Sequence, residues 1–430
     1  MGVSIANRPL QGTIRIMPSK SYLHRGVICA SLCTAPSQIA GVDSLSQDIL
    51  ATMDVIKGIG LADFAYQNQM LTVFPRENSS KAKEQGTNKT YLYPRESGST
   101  LRFLIPIAAQ FTQEAVFVCE GRLAQRMKGT YGEILQNQPV VYTEQGEEVA
   151  IRGKIHGGSF DVPGNISSQY LSGLLFLLPL LQEDSTLNIT TKLQSRPYVD
   201  MTLQMLSHFG VTSYFEGENR LVVPARQQYQ AGDVAIEGDF SHGAFYLTAG
   251  LLGEQPLQIQ NLNPQSLQAD RAILRALESM GGNITYEQGV YTAYPSVLHG
   301  AVIDISMCPD IGPVLAVAAA AAQGTTRLVG AERLKLKESD RLASTCELIN
   351  SLGGKAQADQ NSLTIIGTGK LKGGRVNTYH DHRIAMSGAV ASVICCQPVV
   401  LDDGACTQKS CADFFGEWKS LGGQCADMVL

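Results

Sequence analysis

Residues 18–25 read PSKSYLHR, two cations and a histidine among two serines, directly ahead of the apolar run GVICASLC. If that run is a helix, Lys20 sits in its first turn. A helix start offers free backbone N–H groups and the positive end of the macrodipole, so a lysine there is electrostatically unfavourable. The same N–H groups bind phosphate and carboxylate well, and a cation beside them strengthens the site once an anion arrives. Lys20, with Ser21 and Arg25, is therefore read as held ready for an anionic ligand. Comparable residues precede further apolar segments: Gly98, Ser99 and Arg102; Ser167, Ser168 and Gln169; Asp310; His382 and Arg383. The connections that follow add Arg126 and Lys128; Ser195, Arg196 and Tyr198; Lys335, Lys337, Glu338 and Arg341; and Lys409. Many cations with few acids suit ligands that carry several phosphates or carboxylates. Taken singly, Ser167, Ser168 or Asp310 is more often a plain helix cap, KESDR a solvated helix face, and His382 a structural histidine. The argument rests on recurrence at equivalent points.

Six Ala/Leu-rich segments must position these residues. Their polar starts, marked by Ser21, Ser99, Ser168, Ser241, Gly312 and Arg383, are separated by 78, 69, 73, 71 and 71 residues. A second helical pattern follows each. Five of these end in glycine (VIKGIG, MLSHFG, ALESMGG, LINSLGG and WKSLGG), the expected C-terminal stop, whereas the second unit has EILQNQ instead. Stretches such as GTIRIMP, GKIHGGSFDVPG, AVIDIS and SLTIIGTG read as strands. A fixed period of this kind means stacked units that share cores. Six α/β units fit two three-unit domains, with a polar break over residues 225–239.

The chain has 430 residues, 44% apolar and 17% charged, with net charge −5. No global basic field points to nucleic acid or an anionic membrane, so any anion site is built locally. The ten cysteines form no C-x-x-C pair, and Cys29, Cys33 and Cys346 fall in apolar helical patterns. Buried reduced thiols and a cytoplasmic location are expected. The first ten residues lack a signal-peptide pattern, and Ala6 occupies the position where N-myristoylation needs Ser or Thr. LSGLLFLLPLLQ is too short to span a bilayer.

The motifs PSKSYLHR, ESGSTLR, QRMK, GNISSQYLSGLL, SRPYVD, EGDFSHGAF, KLKESDR, YHDHRIAM and CTQKS occur in one order along essentially the whole chain. In that order the chain resembles the 5-enolpyruvylshikimate-3-phosphate synthase family. The resemblance implies a two-domain inside-out α/β barrel with three βαβαββ units per domain. One domain would be 19–236, on the shikimate 3-phosphate side. The other would be 1–18 with 237–430, carrying a phosphoenolpyruvate clamp and the acid/base residues. The implied reaction joins phosphoenolpyruvate to the 5-hydroxyl of shikimate 3-phosphate and releases phosphate, on the route to chorismate and the aromatic amino acids. Both substrates carry a phosphate and a carboxylate, which accounts for the cations.

Carried over motif by motif, Lys20, Ser21, Arg25, Ser167, Ser168, Gln169, Ser195, Tyr198, Asp310 and Lys337 resemble contacts to shikimate 3-phosphate. Lys20, Gly98, Arg126, Gln169, Arg341, Arg383 and Lys409 resemble contacts to phosphoenolpyruvate, where bidentate arginines suit both anionic groups. Asp310 is the candidate base for the 5-hydroxyl. Glu338 or Lys20 is the candidate acid for the enol methylene. A carboxylate among cations titrates low, which makes Glu338 an awkward acid and leaves the choice open. No metal or organic cofactor is implied, and a monomer is expected. Hinge closure on ligand is expected too, because the anions remove repulsion among the cations. Glu96 and Phe103 stand where the family has Asn and Pro, in a loop that borders the pocket of the family's inhibitor glyphosate. A family Asn aligns with Arg333. The rival readings are the sister transferase acting on UDP-N-acetylglucosamine and a non-catalytic anion binder on the same scaffold.

Overall fold

The computed structural model describes residues 2–76, 89–123, 129–411 and 413–428. Twelve α-helices stand among them: α1 Lys20–Ser31, α2 Gln47–Ile59, α3 Gly98–Phe111, α4 Thr130–Ile134, α5 Ser168–Leu177, α6 Arg196–His208, α7 Phe240–Leu252, α8 Ala272–Ser279, α9 Gly312–Ala321, α10 Arg341–Ser351, α11 His382–Ala391 and α12 Phe414–Ser420. The six polar starts become the first or second residues of the odd-numbered helices. Ser19, Ser97, Ser167, Asp239 and Asp381 cap five of them, each side chain accepting from a backbone N–H two or three residues on. The glycine stops Gly60, Gly210, Gly281, Gly353 and Gly422 all have φ between +76° and +94°. That is the left-handed conformation in which a Cβ is penalised, so these glycines end α2, α6, α8, α10 and α12. EILQNQ has no such residue, and α4 makes barely one turn before Leu135.

The described strands form six four-stranded sheets. Each has the same order of pairing: one parallel pair, then two antiparallel pairs. Ser37–Ala40, for example, pairs in parallel with Val234–Ala235 and antiparallel with Met70–Pro75, which in turn pairs with Ala62–Gln67. The parallel partner of the first sheet thus comes from the polar break at 225–239. Gly2–Ala6 lies between Val399–Leu401 and Gln424–Met428, and Gly12–Arg15 pairs in parallel with Leu257–Gln260. The chain accordingly divides into two compact units, one of residues 1–17 with 237–430 and one of residues 18–236.

Within each unit the odd-numbered helices are interior. Helix α9 is buried from Gly312 to Ala320, and α11 along its whole length. The strands alternate buried and exposed residues, as in Leu257–Gln260 and Glu148–Gly153, which is the signature of a sheet with one solvated face. Helices therefore lie inside and sheets outside. No described helix is long and apolar enough to cross a membrane; LSGLLFLLPLLQ folds as the end of α5 and a 3₁₀ turn, Leu178–Leu180. All ten cysteines are unpaired. Cys29 in α1 and Cys33 just beyond it are buried, and Cys346 in α10 is half-buried.

Candidate active site

In unit 18–236 the helix starts converge through neighbouring contacts of α1 with α2 and α6, α2 with α3, α3 with α5, and α5 with α6. Lys20 is the first residue of α1, and its Nζ pairs with Asp48 Oδ2 at 2.7 Å. Asp48 lies in the first turn of α2, where the helix dipole favours an acid. The acid on the neighbouring helix start thus offsets the unfavourable position of Lys20. Arg25 is buried and ties α1 to α6: Nε donates to Thr202 Oγ1 at 2.8 Å, Nη2 to the Tyr198 carbonyl at 2.9 Å, and Nη1 to the Ser21 carbonyl at 2.6 Å. Burial pulls its guanidinium down to about 10. Gln169 accepts from Arg102 Nη1 and donates to Ser99 Oγ, both at 2.8 Å, joining α5 to α3. A Cβ at Gly98 would come within 2.8 Å of Arg102 Nη1. Ser195 holds φ +59°, a left-handed serine that costs about 1 kcal/mol and is retained by its surroundings.

In unit 1–17 with 237–430 a denser cluster surrounds Arg341, whose side chain is 2% exposed. Its Nε donates to Asp381 Oδ2 at 2.8 Å, and Nη2 donates to Asp381 Oδ1 at 3.1 Å. Nη2 also donates to Glu338 Oε2 at 2.6 Å, and Nη1 to Asp310 Oδ1 at 2.8 Å. Lys337 Nζ reaches the same Asp310 oxygen at 2.8 Å, and Lys409 Nζ lies 4.0 Å from Glu338 Oε1. Burial by itself would raise the Asp310 carboxyl, but Lys337, Arg341 and Arg383 outweigh it and hold that group well below the usual carboxylate range. Asp310 is therefore an ionised acceptor. It sits in the 3₁₀ turn Pro309–Ile311, and instead of capping a helix its carboxylate pairs with Lys337 and Arg341. Arg383 donates from Nη1 to the Ser241 carbonyl at 2.9 Å and lies 5.8 Å from the centre of the Phe245 ring.

Two sets of fixed cations, each paired with a carboxylate, can hold phosphates and carboxylates and move a proton at an oxygen. The family model for EPSP synthase (3-phosphoshikimate 1-carboxyvinyltransferase) matches residues 5–418. The chain belongs to the EPSP synthase family. It is 40% identical over 428 residues to the 3-phosphoshikimate 1-carboxyvinyltransferase of Clostridium kluyveri, covering 98% of this chain and 97% of that one. It is 41% identical over 424 residues to that of Clostridium perfringens, covering 98% of both. In fold it is similar to an EPSP synthase from Acinetobacter baumannii, with TM-score 0.80, 22% identity and 99% of this chain and 100% of that one covered. It is also similar to the enolpyruvyl transferase NikO from Streptomyces tendae, with TM-score 0.80, 17% identity and 100% and 99% covered. The two-domain inside-out α/β barrel of the EPSP synthase family is thus the fold of this chain.

Of the residues singled out in the sequence, Lys20, Ser21, Arg25, Gly98, Ser167, Ser168, Gln169, Ser195 and Tyr198 stand at or beside helix starts of unit 18–236. Asp310, Lys337, Glu338, Arg341 and Lys409 form one cluster in the other unit, and Arg383 joins it electrostatically. Ser167 is a helix cap as well, and Arg196 pairs with Asp200 on its own helix face. Arg126 and Lys128 lie outside the described residues. Phe103, which departs from the EPSP synthase loop pattern, is buried under Arg25 and packs edge-to-face on Phe176 at 5.4 Å. Sequence reasoning missed Asp48, Asp381 and Asp270. Asp381 stands inside the quoted YHDHRIAM motif, immediately before the expected helix, and its cap position was a readable signal. Asp270 is buried and accepts from the Ser241 hydroxyl.

Proposed function

We propose that this chain transfers the enolpyruvyl (carboxyvinyl) group of phosphoenolpyruvate to the 5-hydroxyl of shikimate 3-phosphate, releasing inorganic phosphate. As a member of the EPSP synthase family it is a transferase of the shikimate pathway, which leads to aromatic amino acids. The observation that carries the reading is the Asp310–Lys337–Arg341–Glu338 cluster: two carboxylates held by cations around the buried Arg341, with Lys409 beside Glu338. A protein that merely binds anions gains nothing from placing two carboxylates among the cations that attract its ligand, so the cluster speaks against a non-catalytic binder. No observation favours the reading with UDP-N-acetylglucosamine.

In this reading Lys20, Ser21, Arg25, Ser167, Ser168, Gln169, Ser195 and Tyr198 contact shikimate 3-phosphate, joined by Asp310 and Lys337. Lys20, Gly98, Arg126, Gln169, Arg341, Arg383 and Lys409 contact phosphoenolpyruvate. Asp310 accepts the 5-hydroxyl proton as the oxygen attacks C2 of phosphoenolpyruvate. Glu338 or Lys20 delivers a proton to the methylene carbon, giving a tetrahedral intermediate. The group that delivered the proton then takes one back from the methyl as the C–O bond to phosphate breaks with its electron pair on the phosphate, restoring the enol ether. Fixed cations stabilise the charge that shifts onto the leaving phosphate, and they need no reorganisation as it forms. The chain acts as a cytoplasmic monomer in this reading.

The test is phosphate release from the purified chain with both substrates. Release that requires shikimate 3-phosphate and phosphoenolpyruvate together is expected. Binding of shikimate 3-phosphate with no release would overturn the assignment.

A further inference from the structure

Away from the Arg341 cluster, the unit of residues 1–17 with 237–430 holds a second group of side chains with chemistry that the transfer reaction does not use. His242 is the third residue of α7, Cys411 follows the 3₁₀ turn Ala405–Lys409, and Glu417 lies in α12. His242 Nε2 is 2.7 Å from Glu417 Oε2, and Cys411 Sγ is 3.7 Å from Glu417 Oε1. One donor atom from each residue lies within 4.8 Å of the others. His242 and Cys411 are buried, while Glu417 keeps 21% of its side chain exposed. The His242 ring packs edge-on against Tyr246 and Phe414, and the Tyr246 hydroxyl donates to Glu417 Oε2 at 2.7 Å.

We propose that His242, Cys411 and Glu417 form a seat for one borderline-soft divalent cation of the zinc class, a clasp between α7, α12 and the segment that carries Lys409. Imidazole nitrogen, thiolate sulfur and carboxylate oxygen are the three zinc-ligand types, and a thiolate selects against magnesium and calcium. Bonds of about 2.0 Å to nitrogen or oxygen and about 2.3 Å to sulfur place tetrahedral ligand atoms roughly 3.3–3.6 Å apart. The observed spacings, 2.7 Å from His242 to Oε2 and 3.7 Å from Cys411 to Oε1, lie on either side of that range, and one donor atom from each residue stays within 4.8 Å of the others. Three protein ligands leave one position for water, and the partly exposed Glu417 marks the side from which an ion enters. Tyr246 then serves as the second-layer partner that orients the ligating carboxylate.

The simpler reading is a His242–Glu417 ion pair that joins two helices. In that pair Cys411 Sγ donates to the second carboxylate oxygen, a place a hydroxyl would fill as well, whereas a soft cation has a use for sulfur itself. The ligand set also matches the charge of the ion: one thiolate and one carboxylate with a neutral imidazole balance one dication, so the occupied group carries no net charge.

The experiment is a Co²⁺ titration of the full-length chain, followed by absorbance. One equivalent should produce a thiolate-to-cobalt charge-transfer band in the near ultraviolet and the visible bands of tetrahedral Co²⁺, both bleached by Zn²⁺. Cys411→Ser should abolish the charge-transfer band. His242→Gln should weaken binding at least about tenfold. Cys396→Ser, which alters an exposed thiol outside the group, should leave the titration unchanged. Circular dichroism identifies any variant that has lost its fold, and the remaining ligand variant then carries the test. Absence of a charge-transfer band in the unaltered chain, or an undiminished band in folded Cys411→Ser, would overturn the proposal.

Discussion

Replacing Asp381 with Asn tests what the carboxylate at the centre of the Arg341 cluster contributes. Asn has the same shape, and its Oδ1 can still accept the Arg383 N–H that now bonds Asp381 at 2.9 Å, so the cap of α11 survives. What disappears is the negative charge facing Arg341 Nε and Nη2 at 2.8 and 3.1 Å, together with the Oδ2 acceptor, whose place an NH₂ group takes opposite the Arg341 Nε–H and Ser339 N–H donors. The pair is buried, with Arg341 2% and Asp381 0% exposed. Removing one partner of such a pair destabilises by about 3–5 kcal/mol. Arg341 keeps Asp310 and Glu338, so the lower end applies, about 3 kcal/mol. The unit concerned contains about two hundred residues, for which that loss lowers its melting transition by about 6–12 °C. Calorimetry of the full-length chain reads the shift. Phosphate release reads the second effect: Arg341 redistributes onto Asp310 and Glu338, so kcat falls further than KM rises. A variant that melts within about 1 °C of the parent, with unchanged kcat, would refute Asp381 as the anchor of the site.

Burial, reinforced by Asp310, pushes the Asp270 carboxyl up to about 7 from 3.8. Its folded form therefore holds a proton that the unfolded chain has released, so the stabilisation is complete below about pH 4 and is lost as pH rises through 7, on the order of 4 kcal/mol. Denaturation midpoints at pH 5 and pH 8 should differ in this sense, and Asp270→Asn should flatten the difference; an unchanged slope would sink the assignment. Lys20→Met should lower turnover at least about a hundredfold with the fold retained, since it removes the ammonium held by Asp48; turnover above half of the parent value would exclude a role for Lys20. Glu338→Gln with full turnover would remove Glu338 as the proton donor and leave Lys20. Gly60→Ala meets no atom within 4 Å, so its cost is that of the left-handed backbone alone, about 1 kcal/mol, measurable by urea denaturation.

The repeat, the helix starts and most helix ends were legible because each is local. A serine or aspartate cap satisfies N–H groups two or three residues away, and a glycine stop needs only its own left-handed φ. Hence the six starts and the five glycine-terminated helices fall where composition and spacing put them. The brevity of α4 was foreshadowed by the missing glycine in EILQNQ. The identities of the cations were legible as well, because Lys20 and Arg383 violate the dipole preference of a helix start. What the cations face was not. Lys20 meets Asp48 across 28 residues and Arg341 meets Asp381 across 40, and Gly2–Ala6 pairs with Gln424–Met428 at the far end of the chain. Nothing local distinguishes Asp48 or Asp381 from an ordinary capping or first-turn acid. Only the packing of interior helices decides which acid is placed beside which cation, and it is Lys337, Arg341 and Arg383, outweighing burial, that hold Asp310 ionised, while the partners of Arg341 hold it in place.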